Sequence, residues 1–277
     1  MKKLIIGATL ATSLLISSHP SYAAFANPSI KVDNQTIVSD VQPETVNYRT
    51  MVPLRVISEN LGATVIWSKS EVSIIKDSTK IVLHLNSTTA QKDSSNIKLD
   101  AKPYLKNNRV FVPIRFIAEA FGCKVGYSKS TVSIETAPVV IDNIKIASVI
   151  RETRMIIGTT QQQISGNVNI KAIYDAITNN LGETVNAPAY YSELPSTDYL
   201  QSNHLIFNDS KGNKVHEWSI YGLTFTPTVE QKADFPSPLI HDNTTDHWYL
   251  FNKNAEKSIY NAIDKAFLND SVQSKEL

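Results

Sequence analysis

Residues 52–62 of the chain read Val-Pro-Leu-Arg-Val-Ile-Ser-Glu-Asn-Leu-Gly, and 60 positions later residues 112–122 read Val-Pro-Ile-Arg-Phe-Ile-Ala-Glu-Ala-Phe-Gly. Comparing 47–74 with 107–134 gives 15 identities in 28 ungapped positions. Most differences keep their type, as in Leu54 with Ile114, Leu61 with Phe121 and Trp67 with Tyr127. A unit written twice must bury the same face twice, which constrains the fold more than any composition figure. Stacked solenoids need three or more units to bury a continuous core, so two copies are expected to close on each other in one compact domain, residues 27–136.

Each copy carries its own start and stop signals. Pro53 and Pro113 suit a first helical position, where a missing N–H costs nothing, and Gly62 and Gly122 suit the left-handed residue that ends a helix. Between them Leu54, Ile57 and Leu61, and again Ile114, Ile117 and Phe121, recur at helical spacing and are expected in the core. Arg55 with Glu59 and Arg115 with Glu119 are four apart, and an intrahelical ion pair in each copy is expected. After each helix come a strand (64–67, 124–127), a Ser-Lys-Ser turn and a second strand (72–75, 132–134); Asp33-Asn34 marks a hairpin turn before the first copy. The fold class expected is α+β, with duplicated β-α-β-β units forming antiparallel sheet around short helices.

The shared pattern Arg-x-x-Val-Pro-(Leu/Ile)-Arg-x-Ile-x-Glu-x-(Leu/Phe)-Gly-x-x-Val-x-(Trp/Tyr)-Ser, at Arg49–Ser68 and Arg109–Ser128, resembles the copper amine oxidase N-terminal-like domain, or stalk domain. The resemblance covers about Ile30 to Thr136. It implies antiparallel sheet wrapped around helix, in a module of exported bacterial proteins joined to unrelated partners. It does not imply the oxidase reaction, whose quinone cofactor forms from an Asn-Tyr-(Asp/Glu) site. The one Asn-Tyr pair here, Asn47-Tyr48, is followed by Arg49. Copper would also need clustered imidazoles, and residues 27–136 contain one histidine, His84. No cofactor and no metal are expected.

Met1-Lys2-Lys3, the apolar run Leu4 to Ile16 and the small residues near Ala23 or Ala26 read as a secretory signal peptide, residues 1–23. The chain has 27 basic and 26 acidic residues, and cleavage removes Lys2 and Lys3 and no acid. A mature charge of −1 gives no electrostatic footprint for nucleic acid. Cys123 is the single cysteine, so an exported chain of this kind gains stability from packed cores and not from an internal disulfide, as in many Gram-positive exported proteins. Cys123 takes the place of Ala63 in the repeat and reads as a small buried apolar residue.

Beyond Thr136-Ala137-Pro138 the repeat ends and a second domain, 139–270, begins. Expected there are strands at 144–150 and 155–159 with a turn at Arg151–Arg154, and a helix from Asn169 to Leu181 ended by Gly182. A hairpin of 204–207 with 214–221, a strand 247–251, and a helix 255–268 capped by Asn254 with Ile259, Ile263 and Phe267 inward complete it. This is a small α+β domain, an antiparallel sheet with two helices. His241, Asp242, Asp246 and His247 bracket a short loop and are candidate binding residues. Trp218, Trp248 and Tyr249, with Tyr190, Tyr191, Tyr199 and Tyr221, are candidates for an aromatic platform. No nucleophile elbow, zinc-protease helix or phosphate loop is present, and no catalytic residue is assigned. The expected function is an exported non-enzymatic protein, secreted or held at the cell surface or wall. Its stalk-like domain would space or present the C-terminal domain to a cell-wall component or another exported protein, with no nucleic acid and no membrane span after cleavage. The alternative is a secreted hydrolase or metal-binding protein using the C-terminal His and Asp residues.

Overall fold

The computed structural model describes residues 27–68, 71–155, 158–187, 201–221, 238–268 and 272–276. Residues 1–23, where a signal peptide is expected, and Tyr190, Tyr191 and Tyr199 lie outside them. The N-terminal domain contains β1 (Ser29–Val32), β2 (Gln35–Thr36), β3 (Glu44–Val46), β4 (Arg49–Pro53), α1 (Leu54–Asn60), β5 (Thr64–Ser68), β6 (Glu71–Lys76), β7 (Thr79–His84), β8 (Thr89–Lys92) and β9 (Ser95–Lys98). Then come β10 (Tyr104–Lys106), β11 (Arg109–Pro113), α2 (Ile114–Ala120), β12 (Lys124–Ser128) and β13 (Thr131–Glu135). The order strand, helix, strand, strand thus occurs twice at the spacing of the sequence match.

The two copies meet through β4 and β11, which pair antiparallel with Val52 opposite Val112. Their helices share one core with the flanking strands: Leu54, Ile57, Leu61, Ile114 and Ile117 are buried together, while Phe121 is only partly buried against them. Three sheets surround this core, ordered β10-β11-β4-β3, β5-β6-β7-β8-β9 and β12-β13-β1-β2. One seam departs from the antiparallel expectation: β1 runs parallel to β13, Ser29 opposite Thr131 through Val32 opposite Ile134. The domain's first strand therefore lies beside its last.

Each helix ends as its glycine requires. Gly62 has φ +83° and Gly122 φ +73°. The Gly62 N–H donates to the Glu59 carbonyl at 3.1 Å and the Ala63 N–H to Ser58 at 2.8 Å, a Schellman pair that satisfies two terminal carbonyls. Gly122 and Cys123 repeat it on Glu119 and Ala118. The prolines differ from expectation. Pro53 (ψ 114°) and Pro113 (ψ 123°) are extended and stand before the helix, which starts at Leu54 and Ile114. The cause is pairing, since Pro53 lies opposite Phe111, and Pro113 opposite Met51, in the ladder that joins the copies.

The C-terminal domain contains β14 (Val140–Ile141), β15 (Ile144–Lys145), β16 (Ser148–Met155), β17 (Gly158–Ser165), α3 (Asn167–Thr178), β18 (Leu181–Val185), β19 (Gln201–Asn208), β20 (Lys214–Tyr221), β21 (Leu239–Asp242), β22 (His247–Phe251), α4 (Lys253–Leu268) and β23 (Val272–Glu276). Eight of these strands form one antiparallel sheet, β18-β22-β21-β20-β19-β16-β17-β23. α3 and α4 pack on one face of it, where Ile170, Ile173, Ile177, Ile259 and Ile263 meet Val149, Ile164, Leu205, Phe207 and Ile220, all fully buried. Burial of each such aliphatic side chain contributes about 1.5–3 kcal/mol before entropy is counted.

Several element boundaries are corrected. Arg151–Arg154 belong to β16 and not to a turn, because alternation sends Arg151 and Glu152 to opposite faces where each finds polar partners. Arg151 Nε donates to Asn203 Oδ1 at 2.6 Å, and its guanidinium lies 5.2 Å from the Tyr260 ring centroid of α4. α3 stops at Thr178; Leu181 and Gly182 start β18. A Cβ on Gly182 would lie 2.9 Å from the Leu250 carbonyl oxygen, so glycine is there for strand approach and not for a helix end. The side-chain cap of α4 is Asn252, whose Oδ1 accepts from the Ala255 N–H at 2.7 Å, and not Asn254. Phe267 is 39% exposed, and Ala266 takes the inward position after Ile263.

One carboxylate gathers several of the hydrogen bonds between the two halves of the chain. Asp33 sits in the β1–β2 turn with φ +49°. Its Oδ1 accepts from the Thr136 N–H at 2.8 Å, and its Oδ2 from the Thr136 hydroxyl at 2.8 Å. Oδ2 also accepts from the Asn167 N–H at 3.0 Å, and Oδ1 from Asn167 Nδ2 at 3.3 Å. Asn167 is the first residue of α3, so the N-terminal domain supplies the anionic acceptor that a helix N-terminus favours. Lys265 of α4 adds a hydrogen bond to the Glu59 carbonyl at 3.0 Å.

Candidate functional site

The residues singled out in the C-terminal half lie in and around the β21–β22 hairpin. His241 stands opposite Trp248, and Asp242 opposite His247. Alternation then puts His241 and Trp248 on one face of the sheet and Asp242 and His247 on the other. The four residues do not converge. His241 Nε2 lies 2.9 Å from Asp246 Oδ1, and its ring stacks on Trp248 at 4.3 Å. Asp242 Oδ1 accepts the N–H groups of Thr244 and Thr245 at 2.9 and 3.1 Å, which makes it a turn former. His216 Nε2 is 3.0 Å from the same oxygen, with its N–H out of line for a hydrogen bond. Among the described residues no group of three or more His, Cys, Asp or Glu side chains is arranged to hold a metal ion.

The aromatic candidates are core residues in the main. Trp218 is 4% exposed and Trp248 5%. Trp218 packs edge-on to Phe207 at 5.2 Å and to Tyr174 at 6.0 Å, and Trp248 lies 5.1 Å from Tyr221. Tyr249 is half-buried against the helix-side core. The two indoles lie on opposite faces of the sheet, Trp218 on the helix side and Trp248 beside Leu239 and Tyr221 on the other, and both are buried, so they do not form one exposed platform.

The densest polar constellation is one that residue spacing did not single out. On the sheet face away from α3 and α4, β17, β16, β19 and β20 align Gln161, Glu152, His204 and Glu217. His204 Nδ1 lies 3.1 Å from Glu152 Oε2, and its Nε2 lies 2.5 Å from Glu217 Oε1. Gln161 Nε2 donates to Glu152 Oε1 at 2.5 Å, and the Lys214 ammonium pairs with Glu217. Burial pushes the Glu217 carboxyl up, and hydrogen bonds from Lys214 and His204 outweigh it, so its pKa lies below the ordinary carboxylate value. Both ring nitrogens of His204 are engaged by carboxylates, so neither is turned toward open solvent or a substrate. The arrangement is a polar strut across the central strands. Glu152 was assigned to a turn on sequence grounds, and only its true place in β16 would have aligned it with His204.

In the N-terminal domain, Arg55 lies 3.6 Å from Glu59 and Arg115 3.8 Å from Glu119, all on the solvent side. These are the expected intrahelical pairs, and at such exposure each contributes a few tenths of a kcal/mol. Cys123 is buried, and burial raises its thiol pKa, so it is an inert packing residue.

The fold is α+β, with one hydrophobic core in residues 30–134 and a second in residues 139–266. Residues 31–136 match the family model described as Copper amine oxidase N-terminal domain. The family so described is a non-catalytic, stalk-type domain; the match spans less than half of the chain and includes no amine oxidase catalytic domain. No curated protein and no solved structure matches the chain. Among the described residues no helix is long and apolar enough to cross a membrane.

Proposed function

We propose that this chain is an exported, non-enzymatic protein of the cell envelope. Its stalk-type domain holds the C-terminal α+β domain at a set distance and angle for contact with a cell-wall component or another exported protein. The observation that carries the reading is the junction at Asp33. A loosely tethered domain pair has no use for a shared carboxylate that binds the last strand segment of one domain and the first helical turn of the other, whereas a spacer needs it. The leader-like residues 1–23, the stalk-type family match and the fully engaged His204 support the same reading.

The test is retention. The purified protein lacking residues 1–23 should bind isolated cell walls or exported proteins from a Gram-positive bacterium in a pull-down, and a tagged full-length chain should fractionate with the envelope or the medium. Absence of the full-length chain from both fractions would refute export, and no retention on any envelope fraction would refute the binding role. The hydrolase or metal-binding reading predicts that replacing His241 and His247 by Ala abolishes bound metal or a detected activity. Their placement on opposite sheet faces argues against it.

A further inference from the structure

The N-terminal domain carries a cleft of about 320 Å³ between α1, β5–β6 and the β10–β11 hairpin. Leu54, Val65, Val72 and Val110 line it, and Trp67, Leu105, Asn108, Arg55 and Arg109 complete it. Trp67 is 44% exposed and Leu105 54%. Two large apolar side chains are thus left to solvent on the walls of one cleft. The volume lies at the low end of the roughly 300–1,000 Å³ found for ligand pockets.

The second copy shows that the shared scaffold does not require this opening. There Arg115 lays its guanidinium over the Tyr127 ring at 4.9 Å, and no such contact joins Arg55 to Trp67 among the described residues. The apolar lining is also specific to one side. Leu105 and Val110 correspond in the repeat to Thr45 and Thr50. Both cleft arginines keep donors in reserve. Arg55 engages Glu59 through Nη1, and Arg109 engages Asp40 through Nη2 and the Asn108 carbonyl through Nη1. Each guanidinium has five N–H groups, and exposed ion pairs of this kind are weakly held.

We infer that this cleft binds an apolar carboxylate of about one residue's size, specifically the C-terminal residue of a peptide ending in leucine or phenylalanine with a free α-carboxylate. The aliphatic lining takes the side chain, the Trp67 indole covers it, and Arg109 and Arg55 take the carboxylate. Beyond the two guanidiniums, which offer donors and no acceptor, the lining has one amide, Asn108, and sugar hydroxyls need acceptors as well as donors, so a glycan is the less suited occupant. Neither export nor envelope retention is required for this binding.

The test uses the intact two-domain protein with N-acetyl-alanyl-leucine, N-acetyl-alanyl-phenylalanine and the C-terminal amides of both. Binding is read by calorimetry and by Trp67 emission, since Trp218 and Trp248 are buried. The acids should bind saturably and change Trp67 emission, and the amides should bind about tenfold more weakly or worse, a difference of about 1.4 kcal/mol. Trp67→Ala should abolish binding of the acids, and Arg109→Ala and Arg55→Ala should each weaken them about tenfold without changing the melting temperature. Equal binding of acid and amide would overturn the carboxylate assignment. No saturable signal up to about 10 mM, an affinity weaker than about −3 kcal/mol, would overturn the site.

Discussion

Asp33→Asn is the substitution that isolates the domain junction. Asparagine tolerates the left-handed conformation that residue 33 adopts at φ +49°, so the turn is retained while the charge is lost. Four donors converge on the carboxylate, two from Thr136 and two from Asn167. An amide in its place keeps one oxygen and turns an NH₂ toward groups that already donate. Hydrogen bonds to a charged group contribute about 1.5–3 kcal/mol each when well buried. Asp33 is half-buried and one oxygen survives, so the expected loss is about 2 kcal/mol in all. The Thr136 bonds lie within the N-terminal domain, and the Asn167 bonds cross to α3. A double-mutant cycle with Asn167→Pro, which removes both the backbone N–H and the side-chain amide at a first helical position where proline is tolerated, separates them. Urea unfolding read at the buried indoles of Trp218 and Trp248 should give a coupling energy of about 1 kcal/mol, and small-angle scattering should show a longer maximum dimension for Asp33→Asn. Additivity within about 0.3 kcal/mol would refute the idea that this carboxylate connects the domains.

Ser58 is fully buried in α1 and its hydroxyl has no hydrogen-bond partner among the described residues, while the second copy has Ala118 at the same place. Ser58→Ala should raise stability by about 1 kcal/mol, through relief of that desolvation and better helix propensity, seen as a higher urea midpoint at unchanged slope. A lower midpoint would show that the hydroxyl is satisfied. Because the Glu217 pKa is depressed in the folded state, its contribution is present above the ordinary carboxylate value of about 4.3 and is lost as pH falls through the lower folded value. The stability gap between the wild type and Glu217→Gln should therefore narrow as pH falls below about 4.3. His204→Phe, which leaves Glu152 and Glu217 facing each other, should cost about 3 kcal/mol near neutral pH, and a melting temperature within a degree or so of wild type would contradict the strut. The Cys123 thiol should resist a thiol-reactive dye in the folded protein and react once in denaturant.

The stalk-type domain was legible because its signals are local. Gly62 and Gly122 end helices by the backbone conformation they alone adopt cheaply, and the spacing of Leu54, Ile57 and Leu61 gives the buried face directly. The features that escaped were set by pairing. Pro53 is extended because it pairs with Phe111, 58 residues away, and β21 gives little strand signal because it ends on Asp242, next to Asn243, a pair that carries turn chemistry, although all four of its residues are buried. The same limit hid the polar network: Glu152, His204 and Glu217 come from three strands, and their alignment depends on a register no short spacing reveals. Trp218 and Trp248 invited a joint surface role, yet they lie on opposite faces of the sheet and each is buried in a different cluster. Asp33 was readable as a turn residue, and its second task required the position of a helix 134 residues away.

The parallel seam between β1 and β13 has a mechanical meaning. Chain enters the stalk-type domain at the start of β1 and leaves it at the end of β13, and the two strands point the same way. Tension applied between the start of β1 at Ser29 and the end of β13 at Glu135 therefore pulls the strands past each other along their length. The cross-strand hydrogen bonds are loaded in shear and must yield together, not one after another as in a hairpin peeled from its end. A domain closed in this manner transmits force between its ends while its repeated core remains folded.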